Sequence, residues 1–196
     1  MKKIILSAIA IFAFGVVSAQ DVRFGVKAGL NIATLTGDVV DDIKSKIGFN
    51  VGGFSEIKIS EKFAVQPELL YSTQGAKFDG GSESLNYINI PVMAKFFVAE
   101  SFSIEAGPQI GFLTSAKAKF DDEDVSVDIK DELKSIDFGL NFGAGYDFTP
   151  NLSAGLRYNL GLSNIADNES NDEEGFETED FELKNSVFSL SLSYKF

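Results

Sequence analysis

Apolar residues alternate with polar or small residues along eight stretches of the chain. In the first stretch, VRFGVKAGLNIA, every second residue from Val22 to Ile32 is apolar. A two-residue period is typical of a β-strand with two different faces. The pattern predicts eight strands, longer than the ~5–6 residues usual in globular proteins: 22–33, 47–59, 63–75, 87–98, 102–114, 136–148, 152–163 and 186–196.

The connections between these strands also alternate, in length. Short turns lie at 60–62, 99–101 and 149–151, and long polar loops are predicted at 34–46, 76–86, 115–135 and 164–185. Twelve residues at ~3.3 Å each, tilted by ~40°, rise roughly 30 Å, which covers the ~25 Å apolar band of an outer membrane. The predicted fold is all-β: an eight-stranded antiparallel up-and-down transmembrane β-barrel with short periplasmic turns and long extracellular loops.

Alternation alone does not decide which face of the barrel is outside, because a soluble lipocalin-like barrel has the same period with an apolar interior. Glycines on the polar face favour the membrane barrel. On a wet exterior they would weaken the strands, whereas in a narrow lumen they leave room for long side chains. An aromatic girdle is predicted at the tight-turn end, from Phe63, Phe102, Phe148, Tyr194 and Phe196.

The N-terminus indicates export. Lys2 and Lys3 precede an apolar run from Ile4 to Val17, and VSA at 17–19 supplies small residues for cleavage. The run has 14 residues, fewer than the ~20 of a spanning helix. Residues 1–19 are therefore predicted to be a cleaved signal peptide and 20–196 a single barrel domain, exported to the outer membrane of a Gram-negative-type cell.

Charge and composition exclude several classes of function. Without Lys2 and Lys3 the chain has 15 basic and 29 acidic residues, a net charge of −14, which argues against nucleic acid as a partner. The chain has no histidine, the commonest general base, and no cysteine. It also has no G-x-S-x-G elbow. We therefore expect neither an enzyme nor a bound cofactor or metal.

Much of the negative charge lies in two predicted loops, at 121–132 and 167–182. The simplest interpretation is a solvated surface outside the cell. Two alternatives are weak binding of divalent cations that bridge to anionic lipid head groups, and adhesion to a basic partner. The stretch DNESNDEEG lacks the glycine and ligand order of an EF-hand loop.

Six charged residues on the polar face fall at similar heights on six strands. They are Lys27, Glu56, Glu68, Lys95, Glu105 and Arg157. Because an unpaired charge in a narrow lumen is costly, three cations and three anions predict a structural salt-bridge plug. A charged constriction of a narrow pore is the alternative. General diffusion of nutrients is not expected, since side chains just fill an eight-stranded barrel.

Several segments in order resemble the porin-family, PorT-like outer-membrane β-barrel proteins, over residues 22–196. They are FGVKAGLNIATLTGD, FAVQPELLYSTQGAKF, YINIPVMAKFF, SIEAGPQIGFL, FGLNFGAGYDF and LSAGLRYNLGLSNI. The resemblance implies a small eight-stranded barrel of the OmpA/OmpX type without catalytic or cofactor residues. One relative is linked to a protein-secretion system. In the closing stretch SVFSLSLSYKF, Leu192, Tyr194 and Phe196 resemble the signal read by the barrel-assembly machinery of outer-membrane barrels.

Two functions follow as expectations. The first is an outer-membrane scaffold with a largely plugged lumen, whose acidic loops contact lipopolysaccharide or surface proteins. The second is a transport protein, either a narrow channel or a secretion accessory. The expected partners are outer-membrane lipid and, during insertion, the barrel-assembly machinery.

Overall fold

The structure is a computed structural model that describes residues 22–37, 43–120, 125–167 and 182–196. The predicted signal peptide, 1–19, lies outside the described residues. So does most of the acidic segment 167–182, together with the first part of 121–132.

Nine strands and one short 3₁₀-helix form the described part of the chain. The strands are β1 Val22–Gly37, β2 Lys44–Ser60, β3 Phe63–Phe78, β4 Gly81–Ala99, β5 Phe102–Phe120, β6 Val125–Asp128, β7 Ile136–Asp147, β8 Leu152–Gly161 and β9 Leu183–Lys195, and the 3₁₀-helix is Lys130–Glu132. Within these ranges, no helix is both long and apolar enough to cross a membrane.

The eight long strands close into a ring. Each is antiparallel to its neighbours, and β1 pairs with both β2 and β9, so that Ala28 lies opposite Val51 on one side and Leu192 on the other. The short β6 extends the sheet beside the end of β5. Closure leaves none of the eight long strands as an open edge, as a lipid environment requires. The predicted eight-stranded antiparallel barrel is confirmed.

The barrel has its apolar face outside. Along β1, Leu30 is 59% exposed while the next residue, Asn31, is 1% exposed. On β9 the outward Leu192 is likewise 59% exposed, while Lys195 in the lumen is buried. An apolar exterior around a polar interior is the reverse of a soluble barrel and suits a lipid environment.

One predicted loop, 76–86, is wrong. Strands β3 and β4 continue through it and meet in a tight turn at Asp79 and Gly80, where the φ of Gly80 is +91°. In this extension the pattern of the membrane-spanning part is reversed: apolar residues face the lumen and polar residues face outward. Ala76 and Leu85 point inward and are buried, whereas Lys77 is exposed. A strand that rises above the lipid has water on its outer face, so its sequence reads as a polar loop.

The strand extensions enclose an apolar core at the long-loop end of the lumen. Its buried members are Leu35, Ala76, Leu85, Tyr87, Leu113, Ala116, Leu133 and Ile165. The backbone ties this core to the connections: Lys134 N donates to Ile165 O at 2.8 Å, and Asp167 N donates to Glu132 O at 3.0 Å. Part of the predicted loop 115–135 is therefore ordered structure that helps to fill this end of the barrel.

Candidate functional site

The six charged residues singled out in the sequence lie inside the barrel and make ion pairs there. Lys27 is on β1, Glu56 on β2, Glu68 on β3, Lys95 on β4, Glu105 on β5 and Arg157 on β8. Their side chains are at most 10% exposed. They fall into two groups.

Arg157 is the centre of the first group. Its Nη1 donates to Glu68 Oε2 and its Nη2 donates to Glu68 Oε1, both at 2.9 Å. Along the adjacent edge, Nε and Nη2 donate to Glu105 Oε1 at 2.9 and 2.7 Å. Lys27 Nζ completes the group by donating to Glu68 Oε1 at 2.7 Å. The planar guanidinium thus joins carboxylates from two strands, each bound along a different one of its N–H edges.

The second group lies nearer the tight-turn mouth. Lys95 Nζ donates to Glu56 Oε2 at 2.7 Å, and Lys195 Nζ lies 3.3 Å from Glu56 Oε1 and 3.2 Å from Asp147 Oδ1. Lys195 and Asp147 are not among the six residues named from the sequence. Both have the polar-face parity of their strands but lie at the strand ends, where parity alone does not distinguish lumen from mouth.

Gln66 connects the two groups. Its Oε1 accepts a hydrogen bond from Lys95 Nζ at 3.1 Å, and its Nε2 donates to Glu68 Oε1 at 2.7 Å. The combined network, which we call the lumen charge network, contains four cations (Lys27, Lys95, Arg157 and Lys195) and four carboxylates (Glu56, Glu68, Glu105 and Asp147). It is balanced in formal charge, which limits the cost of burying so many ions.

Gly143 makes the contact between Arg157 and Glu105 possible. In the sheet register Gly143 lies between them, opposite Glu105 on β5 and opposite Arg157 on β8. A Cβ at this position would lie 3.0 Å from Glu105 Oε1 and 2.5 Å from Leu156 O. The absent side chain therefore provides the space in which the two charged groups meet.

Neutral amide and hydroxyl groups fill the lumen next to the network. Asn31 Nδ2 donates to Ser72 Oγ at 3.0 Å, while its Oδ1 accepts from Asn50 Nδ2 at 2.7 Å and from Ser189 Oγ at 2.9 Å. Two cavities among these groups and the network measure about 30 Å³ each. That volume accommodates roughly one or two water molecules.

The tight-turn mouth is more open. A vestibule of about 580 Å³ lies there, lined by charged residues of both signs, including Arg23, Lys58, Glu61, Lys62 and Glu100. In the described part of the chain, no three acidic side chains are grouped so that they could hold a metal ion.

A closed antiparallel ring with an apolar exterior and a polar lumen defines the protein as a transmembrane β-barrel. Residues 18–167 match the family described as outer membrane protein beta-barrel domain, and the chain belongs to that family. Its location is accordingly the outer membrane.

Solved structures share this fold at low sequence identity. Neisserial surface protein A is 18% identical, with a TM-score of 0.57 over 88% of this chain and 97% of that one. The attachment invasion locus protein Ail of Yersinia pestis is 16% identical, with a TM-score of 0.53 over 89% of this chain and 98% of that one. No curated protein matches the chain in sequence. The PorT-like subfamily stays a prediction.

Proposed function

We propose that the protein is an outer-membrane scaffold whose lumen is largely plugged and whose acidic loops are displayed outside the cell. The carrying observation is the lumen charge network. Four cations and four carboxylates, one from each of the eight long strands, meet across the barrel, and Gln66 joins their two groups. Such a network holds its side chains in place, because moving one ion leaves another buried without a partner.

Two further features support a plug. The cavities beside the network have room for single waters, far less than the hydrated path of an ion. At the other end of the lumen, the apolar core around Leu85 and Ile165 is fully buried. An ion crossing the barrel would have to pass both layers.

The partners and the export route belong to the same proposal. Residues 1–19 direct export and are removed, outer-membrane lipid surrounds the barrel, and the acidic loops contact lipopolysaccharide or surface proteins. Leu192, Tyr194 and Phe196 form the signal for the barrel-assembly machinery. Leu192 and Tyr194 on β9 and Phe196 directly after it are 59%, 48% and 73% exposed, accessible to such a partner.

The vestibule at the tight-turn mouth supports a second candidate, a narrow channel or secretion accessory. It narrows onto Glu56, Asp147 and Lys195, which belong to the lumen charge network. In this alternative Arg157 and its carboxylate partners act as a filter that opens by rearranging their ion pairs.

Conductance separates the two candidates. For purified, folded barrel in a planar bilayer, the plugged scaffold predicts no steady current steps. Arg157→Ala and Glu105→Ala, which remove the two ends of one ion pair, are measured in parallel. Reproducible steps in the wild type that change in either variant would overturn the plug and establish the channel, whereas a silent bilayer containing correctly folded protein excludes the channel.

Deleting Phe196 tests the assembly signal. In the folded barrel, Phe196 N donates to Phe24 O at 2.8 Å, and its ring packs on Tyr194 with centroids 5.7 Å apart. Losing one such hydrogen bond costs about 1 kcal/mol, so the stability of refolded protein should change little. In cells, we expect most of the truncated protein to be missing from the outer membrane.

Phe148→Ala is the matched control, because Phe148 is also exposed at the tight-turn mouth and its ring packs on Tyr146 with centroids 5.2 Å apart. Heat-modifiable gel migration of membrane extracts reports the inserted fraction of each variant. Normal outer-membrane levels of the truncated protein, or an equal loss in the control, would refute the signal.

A further inference from the structure

An open groove lies on the outer surface of the barrel at the end opposite the tight turns. It measures about 490 Å³ and crosses β2, β3, β4 and β5 where these strands leave the apolar belt, with Ser126 of β6 at its edge. Three lysines line it, namely Lys46, Lys117 and Lys119. None of the described residues that line it is acidic.

Lys46 contacts the Ser84 hydroxyl, and the other two lysines lie on the neighbouring strand β5. Lys46 reaches across β3, and its Nζ donates to Ser84 Oγ and, at 2.9 Å, to Glu83 O. Lys117 is the register partner of Ser84, and Lys119 that of the neighbouring Ser82. An anion placed at Ser84 would therefore have ammonium groups from two different strands beside it.

The lower wall of the same groove is apolar. Ile47 is 74% exposed and Phe49 is 47% exposed, and the Phe49 ring packs on Tyr71 with centroids 6.0 Å apart. Ile47 and Phe49 belong to the belt that faces lipid chains. The groove thus combines a surface for acyl chains with a cluster of cations directly above it.

Carboxylates lie near the groove without lining it, among them Glu83, which interacts electrostatically with Lys46. Asp79 at the β3–β4 turn pairs with Lys44 at 2.8 Å, and Asp128 on β6 is the register partner of Lys117, where its Oδ1 accepts a hydrogen bond from Lys130 N. Neither lines the groove. A cationic cluster on a chain of net charge −12 is complementary to an anionic partner.

From these contacts we infer that the groove binds the phosphorylated head group of an outer-leaflet glycolipid, with its acyl chains against Ile47 and Phe49. Short turns of outer-membrane barrels face the periplasm, so the groove, at the opposite end, lies at the outer leaflet. Phosphate oxygens accept charge-assisted hydrogen bonds from several ammonium groups at once. The inference rests on the orientation used in the proposed function, but the site is separate from the lumen charge network; one residue of the acidic segment 121–132, Ser126, lies at its edge.

The test measures lipid A binding to purified barrel in detergent micelles, by native mass spectrometry. Bisphosphorylated lipid A, its dephosphorylated form and phosphatidylglycerol are the three probes. We expect the bisphosphorylated form to bind at least about tenfold more tightly than either of the others, because several lysines contact its phosphates. Equal binding of the dephosphorylated form, or of phosphatidylglycerol, would overturn the inference.

Variants locate the site. Lys117→Gln combined with Lys119→Gln should weaken lipid A binding by about tenfold, and Lys58→Gln combined with Lys62→Gln, the same charge change at the opposite mouth, should not. Lys117→Arg with Lys119→Arg keeps the charge and should retain binding. Heat-modifiable migration verifies that each variant is folded. An equal loss in the Lys58 and Lys62 variant, or a loss in the arginine variant, would refute the site.

This experiment is independent of the conductance test. Lipid A binding by a barrel that conducts would refute the plug and leave the groove site intact. A barrel that conducts no current and binds phosphorylated and dephosphorylated lipid A equally would support the plug and refute the groove site.

Discussion

Arg157→Met is expected to lower the free energy of unfolding by about 3–5 kcal/mol, the range measured when one partner of a buried ion pair is removed. Arg157 makes four hydrogen bonds to Glu68 and Glu105. Methionine fills much of the space but donates none of them. Glu68 keeps Lys27 at 2.7 Å, so most of the loss should come from Glu105, which is ion-paired with Arg157 at 2.7 Å.

Arg23→Met is the matched control. Arg23 lies at the tight-turn mouth and donates one exposed hydrogen bond, to Pro150 O at 3.2 Å. Removing it should change the stability by less than about 1 kcal/mol. The free energies of unfolding of both variants are measured by urea unfolding of barrel refolded into lipid vesicles. Circular dichroism follows the unfolding, because the chain has no tryptophan. Similar losses in the two variants would show that the lumen charge network contributes no more than a surface contact.

A double variant tests the assignment to Glu105. Adding Glu105→Gln to Arg157→Met removes the orphaned charge, so part of the lost stability should return. Two contacting residues whose effects do not add are coupled, and the difference measures that coupling. Additive losses would mean that Arg157 and Glu105 do not stabilise the barrel through each other.

The barrel itself could be predicted from the sequence because lipid imposes simple rules. Each strand that crosses the membrane shows apolar residues to lipid at every second position, as from Phe188 to Phe196 on the last strand. The backbone groups must also be paired, which requires a closed ring. Strand number, order and the outward face all follow from these two conditions.

The end of the barrel beyond the lipid could not be predicted by the same rules. Above the apolar belt, the outer face contacts water and the inner face encloses Leu85 and Ala116. The period of two persists there but its phase is reversed, so 76–86 reads as a polar loop. The buried Ile165 comes from a connection and has no strand pattern around it.

For the charged residues in the lumen, the sequence predicts the height of each along the barrel axis but not which residues form ion pairs. Lys95 and Glu105 are register neighbours on adjacent strands, yet Lys95 donates to Glu56, two strands away, and Glu105 accepts from Arg157. The choice depends on side-chain length and on the empty space above Gly143. The alternation of polar and apolar residues does not show how these two factors select the ion pairs.

Gly143→Ala is expected to destabilise the barrel by about 2–4 kcal/mol, although it adds a single methyl group. The added Cβ would lie 2.5 Å from Leu156 O and 3.0 Å from Glu105 Oε1. The backbone oxygen cannot retreat without disturbing the β7–β8 ladder, and overpacking of this kind costs about 1–3 kcal/mol. Displacing Glu105 from Arg157 adds the cost of a strained buried ion pair.

Gly155→Ala provides the control within the same lumen. Gly155 is two residues from Arg157 on β8, and a Cβ there would meet Ser191 Oγ at 3.5 Å and Ala144 O at 3.7 Å, which are ordinary contacts. Since glycine weakens a strand interior, this variant should be neutral or slightly stabilising. Urea unfolding in lipid vesicles compares the two. If Gly143 acts by keeping space for the ion pair, Gly143→Ala should cost less in the Arg157→Met background than in the wild type; an unchanged cost would assign its effect to the contact with Leu156 alone.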